Sequence, residues 1–178
     1  MFGQWQYEPE KERGGTDLRE TLEVLAGFVR AGKVRHVGVS NEHPWGVMRF
    51  TQLAEAHGLP RIVSTQNAYN LLNRTYETGL AEVCHREQVG LLAYSPLGFG
   101  FLSGKYLDNP AASGRVTQFS GFAQRYSKPN VDPAVRAYAA LAREQGLTPA
   151  QLALAWCYRR WCVASTIIGA TTMAQLDE

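Results

Sequence analysis

The chain has 178 residues, 45% hydrophobic and 19% charged, with a formal net charge of +2 at pH 7. This is the composition of an ordinary globular protein with material for a sizeable core, and near-neutrality without a Lys/Arg run argues against a nucleic-acid partner. No apolar run reaches the ~18 residues of a membrane span and no signal-peptide core opens the chain, so no membrane partner is expected and the expected location is cytoplasmic.

Residues 1–15, MFGQWQYEPEKERGG, contain aromatics but no period and are expected to be a loop or tail. The first helix follows, with Leu18, Leu22, Leu25 and Val29 at helical spacing, Asp17 and Glu20 as a capping box and Gly32 as the stop. Residues 34–39 (VRHVGV) read as a strand with Ser40 and Asn41 at its C-terminal end. A helix over about 45–57 buries Val47, Phe50, Leu53 and Ala54 and ends at Gly58. The second strand, 61–65 (RIVST), again ends in polar side chains, Gln66 and Asn67. The spacing of Tyr76, Leu80 and Val83 predicts a helix over about 75–88.

The third strand, 89–93, is short and continuously apolar, as in a buried parallel sheet, and Tyr94 sits at its end. Ser95, Gly98, Gly100 and Gly104 allow backbone amides to approach an anion, and Lys105 offers it a positive charge. The alternative is an ordinary strand-to-helix connection with a surface lysine. Residues 107–130 form a long irregular segment holding Arg115 and Arg125. Two helices then start at Asp132-Pro133 and at Thr148-Pro149, the second with Gln151 completing a capping box. Their expected buried faces are Val135, Tyr138 and Leu141, then Leu152, Ala155 and Trp156. The last strand, 164–168 (ASTII), leads through Gly169, Ala170, Thr171 and Thr172 into a short helix. That turn reads either as an anion site or as a plain capping box between Thr172 and Gln175. Cys84, Cys157 and Cys162 are odd in number and lack metal-ligand spacing, so buried thiols are expected rather than disulfides or a metal site.

The fold class is therefore α/β, with about four parallel strands alternating with helices and polar residues at each strand's C-terminal end. Such ends carry the sites of parallel α/β folds. No G-x-G-x-x-G follows the first strand, and polar ends spread over successive strands suit a (β/α)8 barrel. Barrels of that kind need about 250 residues, so this chain corresponds to about half of one.

The segments AGKVRHVGVSN, TQNAYNLLNR, LLAYSPLGFGFLSGKY and IIGATTMAQL, in this order, resemble the C-terminal half of an aldo-keto reductase, in the branch that also holds potassium-channel β-subunits. The resemblance covers nearly the whole chain. It implies one partial barrel domain over residues 1–178, lacking a partner N-terminal half, from an NADPH-dependent enzyme that reduces aldehydes or ketones to alcohols. Residue by residue, it places Ser40, Asn41 and Gln66 on the nicotinamide carboxamide and Tyr94 against the ring. Ser95, Leu97 and Lys105 match the segment over the phosphates; Gly169, Thr171, Gln175 and Glu178 match the adenosine and 2′-phosphate end. Arg125 is a candidate phosphate contact, weighed against a solvent-exposed arginine. Lys105 beside an extra phosphate favours NADPH over NADH.

The family's Asp, Tyr, Lys and His group, whose tyrosine protonates the carbonyl oxygen, matches no residue here. His36, His43, His57 and His85 lie outside its motif, so no catalytic residue is assigned and the chain alone is expected to be an inactive fragment. A cofactor-sensing regulatory subunit, and then a barrel for another phosphorylated ligand, are the alternatives to a small-molecule carbonyl reductase.

Overall fold

A computed structural model of the chain describes residues 7–11, 14–119, 121 and 124–178. Part of the expected loop over residues 1–15 lies outside these; within it the structure forms one 3-10 turn, Pro9–Lys11. Four parallel strands alternate with helices, and they follow one another in the sheet in chain order: β1 (Val37–Ser40), β2 (Ile62–Ala68), β3 (Gly90–Tyr94) and β4 (Val163–Ile167). The described chain falls into two compact units, one of Met1–Asn67 with Gly79–Leu91 and the other of Ala68–Thr78 with Leu92–Glu178.

In the first unit, α1 (Leu18–Arg30) starts where Asp17 accepts hydrogen bonds from the amides of Arg19 and Glu20, donors that the first turn cannot pair internally. Its buried stripe is Leu22 and Ala26, a narrower face than the leucine spacing predicts. The second helix, α2 (Pro44–His57), has proline at its start, where no amide is needed, and ends on Gly58 in the left-handed conformation. Val47, Phe50, Leu53 and Ala54 are buried as expected. β1 begins at Val37 rather than at residue 34, because Val34, Arg35 and His36 are exposed and pairing with β2 starts at the Val37–Ile62 pair. The register then skips one residue, so that Gly38 faces Ser64 and Ser40 faces Gln66. A Cβ at position 38 would stand 2.9 Å from the Ser64 carbonyl oxygen, so close approach of the two strands requires glycine there.

The expected helix over 75–88 is two elements. A 3-10 turn, Thr75–Glu77, is followed by a break at Gly79, whose φ of 82° is left-handed, and α3 runs only over Leu80–Arg86. Tyr76 and Leu80 are both buried, so the apolar spacing was real although no continuous helix carries it.

In the second unit, the long segment contains a short helix, α4 (Arg115–Gln118), and a 3-10 turn, Gln124–Tyr126. Next, α5 (Val131–Glu144) begins one position before Asp132, the expected start. Asp132 and Pro133 lie inside its first turn, where a missing amide costs nothing, and Asp132 receives Arg136 instead of capping. By contrast α6 (Pro149–Tyr158) starts as predicted, with the reciprocal Thr148–Gln151 box formed. Val131, Val135, Ala139 and Ala142 are buried on α5, Val135 as expected, and Ala150, Ala153 and Cys157 on α6. Leu141 and Ala155, expected inside, are exposed, because alanine stripes allow closer helix approach and take the inner face. The core here joins Leu71, Leu102, Tyr126, Val131, Val135 and Ala153, with Leu97 and Phe99 packed against it. A last helix, α7 (Met173–Asp177), follows β4, and among the described residues no helix is long and apolar enough to cross a membrane.

Candidate functional site

The C-terminal ends of β1 and β2 bring Ser40, Asn41 and Gln66 together by strand register alone. The Asn41 amide donates to the Gln66 carbonyl at 2.9 Å, and the Ser40 hydroxyl donates to the same oxygen at 3.2 Å. The Asn41 side-chain amide in turn donates to Ser40 Oγ at 3.1 Å. Asn41 has a φ of 54°, a left-handed backbone that asparagine tolerates better than most residues but that still stores strain. The side-chain amide of Gln66, half-buried, takes part in no hydrogen bond among the described residues. Two fixed polar groups thus stand beside an amide with both a donor and an acceptor to spare. β2 runs on to Ala68, so the strand is longer than the expected 61–65 and takes in Gln66 and Asn67.

The end of β3 is built differently. Ser95 has a φ of 53° immediately after Tyr94, a second strained non-glycine residue at a strand end. Two neighbours hold this turn. The Tyr69 amide donates to the Tyr94 carbonyl at 3.3 Å, and the side-chain amide of Asn70 donates to the Ser95 carbonyl at 2.8 Å. The second N–H of that same amide donates to the Tyr126 hydroxyl at 2.8 Å, and Asn70 Oδ1 accepts from the Leu72 amide at 2.9 Å. Arg125, next to Tyr126, donates to the Tyr94 hydroxyl at 3.3 Å and is half-buried, so it is not the solvent-exposed arginine of the alternative reading. Tyr94, Ser95, Asn70, Tyr126 and Arg125 therefore close a polar circuit. Burial pushes the Tyr126 phenol above its usual range, although Asn70 and Arg125 both favour its ionised form.

Beside the circuit, Tyr69 is buried and stacks on Trp156 at 5.1 Å, while its hydroxyl donates to Glu77 at 2.5 Å and accepts from Arg160 at 3.0 Å. Arg160 also pairs with Glu77 at 3.0 Å. Burial, then the hydrogen bond to Glu77, raises the Tyr69 phenol far above its ordinary value, so it stays neutral and serves as an anchor for the residue that holds Tyr94. Burial likewise pushes the Cys157 thiol up to about 11. Cys84 and Cys157 are buried as expected, whereas Cys162 is only partly covered.

Other candidates stand apart. Lys105 is exposed, donates to the Ser113 carbonyl at 3.2 Å and lies 4.9 Å over the Tyr106 ring; these contacts do not join it to the Tyr94 circuit. Gly100 and Gly104 take positive φ in the loop before it. Gly169, Thr171, Gln175 and Glu178 are all exposed. There Thr172 caps the Gln175 amide, while the Gln175 side chain accepts from the Thr171 amide at 2.8 Å and not from Thr172, so half of the expected capping box is formed. His36, His43, His57 and His85 are all exposed.

Sequence reasoning missed Asn70 and Tyr126. A faint signal exists for the first: Asn70 and Asn73, three apart after a strand, form a reciprocal backbone bridge, and each accepts a bond from the amide two residues on, the signature of asparagine turns. Nothing comparable marks Tyr126, whose role depends on a partner 56 positions away.

A model of the Aldo/keto reductase family matches residues 6–178. Protein tas of Escherichia coli is 53% identical over 176 residues, which cover 98% of this chain and 51% of that protein. An aldo-keto reductase of Babesia bovis is 38% identical over 94% of this chain and 61% of its own length. L-glyceraldehyde 3-phosphate reductase of Escherichia coli is 31% identical over 92% of this chain and 48% of that enzyme. The chain thus spans about half the length of Protein tas, and a comparable share of the other two. With a family match over nearly all its residues and polar groups gathered at the C-terminal ends of parallel strands, this chain belongs to the aldo/keto reductase family.

Proposed function

We propose that this chain is one partial barrel domain that supplies the nicotinamide-nucleotide-binding half of an NADPH-dependent reductase, converting aldehydes or ketones to alcohols. The observation that carries this reading is the convergence of Ser40, Asn41 and Gln66 across two adjacent strand ends, with Asn41 held in a strained backbone. A carboxamide needs one donor and one acceptor in a plane, and a half-buried, unengaged Gln66 amide beside two fixed polar groups suits that need. A bound dihydronicotinamide would supply the hydride that reaches the carbonyl carbon.

The chain's own residues do the holding. Tyr94 offers a flat aromatic face, fixed through its backbone and through its hydroxyl. Arg125 and Lys105 are the cations for phosphate oxygens, with Ser95 and Leu97 on the segment between, and Gly169, Thr171, Gln175 and Glu178 serve the adenosine end. No residue of this chain is assigned to move a proton, so turnover is ascribed to the longer protein.

Fluorescence titration of the full-length protein with NADPH and NADH tests the reading. Gln66→Ala is expected to weaken both nucleotides about fivefold to tenfold, as the loss of a positioned amide contact does. Lys105→Met is expected to weaken NADPH more than NADH. A folded wild-type protein that binds neither nucleotide would contradict the proposal.

A further inference from the structure

We propose that Asn70 is a positioning residue for Tyr94, acting by clamping the Ser95 carbonyl and the Tyr126 hydroxyl with the two N–H groups of one buried amide. This rests on the reading of Tyr94 as the ring that meets the nicotinamide. Ser95 sits at a φ of 53°, which a serine adopts only when its surroundings enforce it. The enforcing contact is Asn70, 0% exposed, at 2.8 Å from the Ser95 carbonyl oxygen.

An amide with one hydrogen bond can swivel; this one cannot. Its other N–H is spent on Tyr126, itself 1% exposed, and its oxygen on the Leu72 amide, so three partners fix the plane. Arg125 follows Tyr126 back to the Tyr94 hydroxyl, so the ring is gripped at its backbone end through Asn70 and at its phenol end through Arg125. Asn70 thereby braces the strained turn beneath Tyr94, beside the Tyr69 amide, without needing to touch a ligand, while Arg125 holds the far end of the ring.

The test uses the full-length protein with Asn70→Ala and, because that variant risks misfolding, with Tyr126→Phe, which keeps ring volume and removes only the hydroxyl. NADPH and adenosine 2′,5′-bisphosphate, which lacks the nicotinamide, are titrated against each. The expected result is NADPH weakened about fivefold by Asn70→Ala and about threefold by Tyr126→Phe, with the bisphosphate changed less than ~2-fold. Equal weakening of both ligands, or no change in either, overturns the proposal, since a merely structural asparagine would not separate them. Fluorotyrosine at position 94 reads the ring without any ligand. One sharp fluorine resonance in the wild type that broadens or splits in the folded variants supports the clamp, and an unchanged resonance in both overturns it. A wild type with a sharp resonance that broadens in the variants, yet no affinity for NADPH, overturns the cofactor reading while upholding the clamp.

Discussion

The turn at Tyr94 and the segment from Gly169 to Glu178 are both assigned to the cofactor by resemblance, yet they are built by different means. The first is held by contacts from residues far away in sequence: Asn70 lies 25 positions from Ser95 and 56 from Tyr126. The second has no buried contact: Gln175 is bonded to Thr171 and Thr172 to Gln175, the Gln151 side chain donates to the Glu178 carbonyl from 27 positions away, and all residues of the segment are exposed. Buried polar circuits are expensive to leave incomplete, whereas exposed caps exchange readily with water. Under the proposed function, the nicotinamide end is set in advance and the adenosine end adjusts.

Three substitutions sharpen that contrast, and urea unfolding measures each. Asn70→Ala should have the largest effect, a destabilisation of about 2–4 kcal/mol, because the Ser95 carbonyl, the Tyr126 hydroxyl and the Leu72 amide all lose their partner. Tyr126→Phe should cost about 1–2 kcal/mol, leaving one N–H of Asn70 unpaired in an otherwise filled core. Gln175→Ala should cost less than about 0.5 kcal/mol, since water replaces an exposed side-chain contact. A Gln175→Ala loss as large as that of Asn70→Ala would erase the distinction between the two regions.

The same division governs what the sequence reveals. Features written in a few adjacent residues were legible: the Asp17 cap, the stop of α2 at Gly58 and the Thr148–Gln151 box all lie where the sequence puts them. So was the placement of Ser40 and Asn41 near Gln66, because strand ends converge once the sheet is parallel. The break at Gly79 was hidden by Tyr76 and Leu80, whose helical spacing persists across a turn that is not α-helical. The inner faces of α5 and α6 were partly legible: Val135 is buried and Tyr138 and Trp156 pack against the core as expected, whereas Leu141 and Ala155 are exposed. The potassium-channel branch of the resemblance has no counterpart among the relatives named above. Asn70 was least legible of all, since a single buried amide has no period and no cap to announce it.

In the proposed function, Tyr94 is a held ring in a cofactor-binding half. The most direct test of that claim compares Tyr94→Ala with Tyr94→Phe in the full-length protein by NADPH titration and by turnover on an aldehyde panel. Tyr94→Ala should weaken NADPH about fivefold, the loss of roughly 1 kcal/mol of aromatic contact, and reduce turnover further through misalignment. Tyr94→Phe keeps the ring face and gives up only the 3.3 Å bond from Arg125, so both quantities should stay within about threefold of wild type. A Tyr94→Phe variant that binds NADPH normally but is as inactive as Tyr94→Ala would contradict the claim, because the hydroxyl, and not the ring, would then be doing the chemistry.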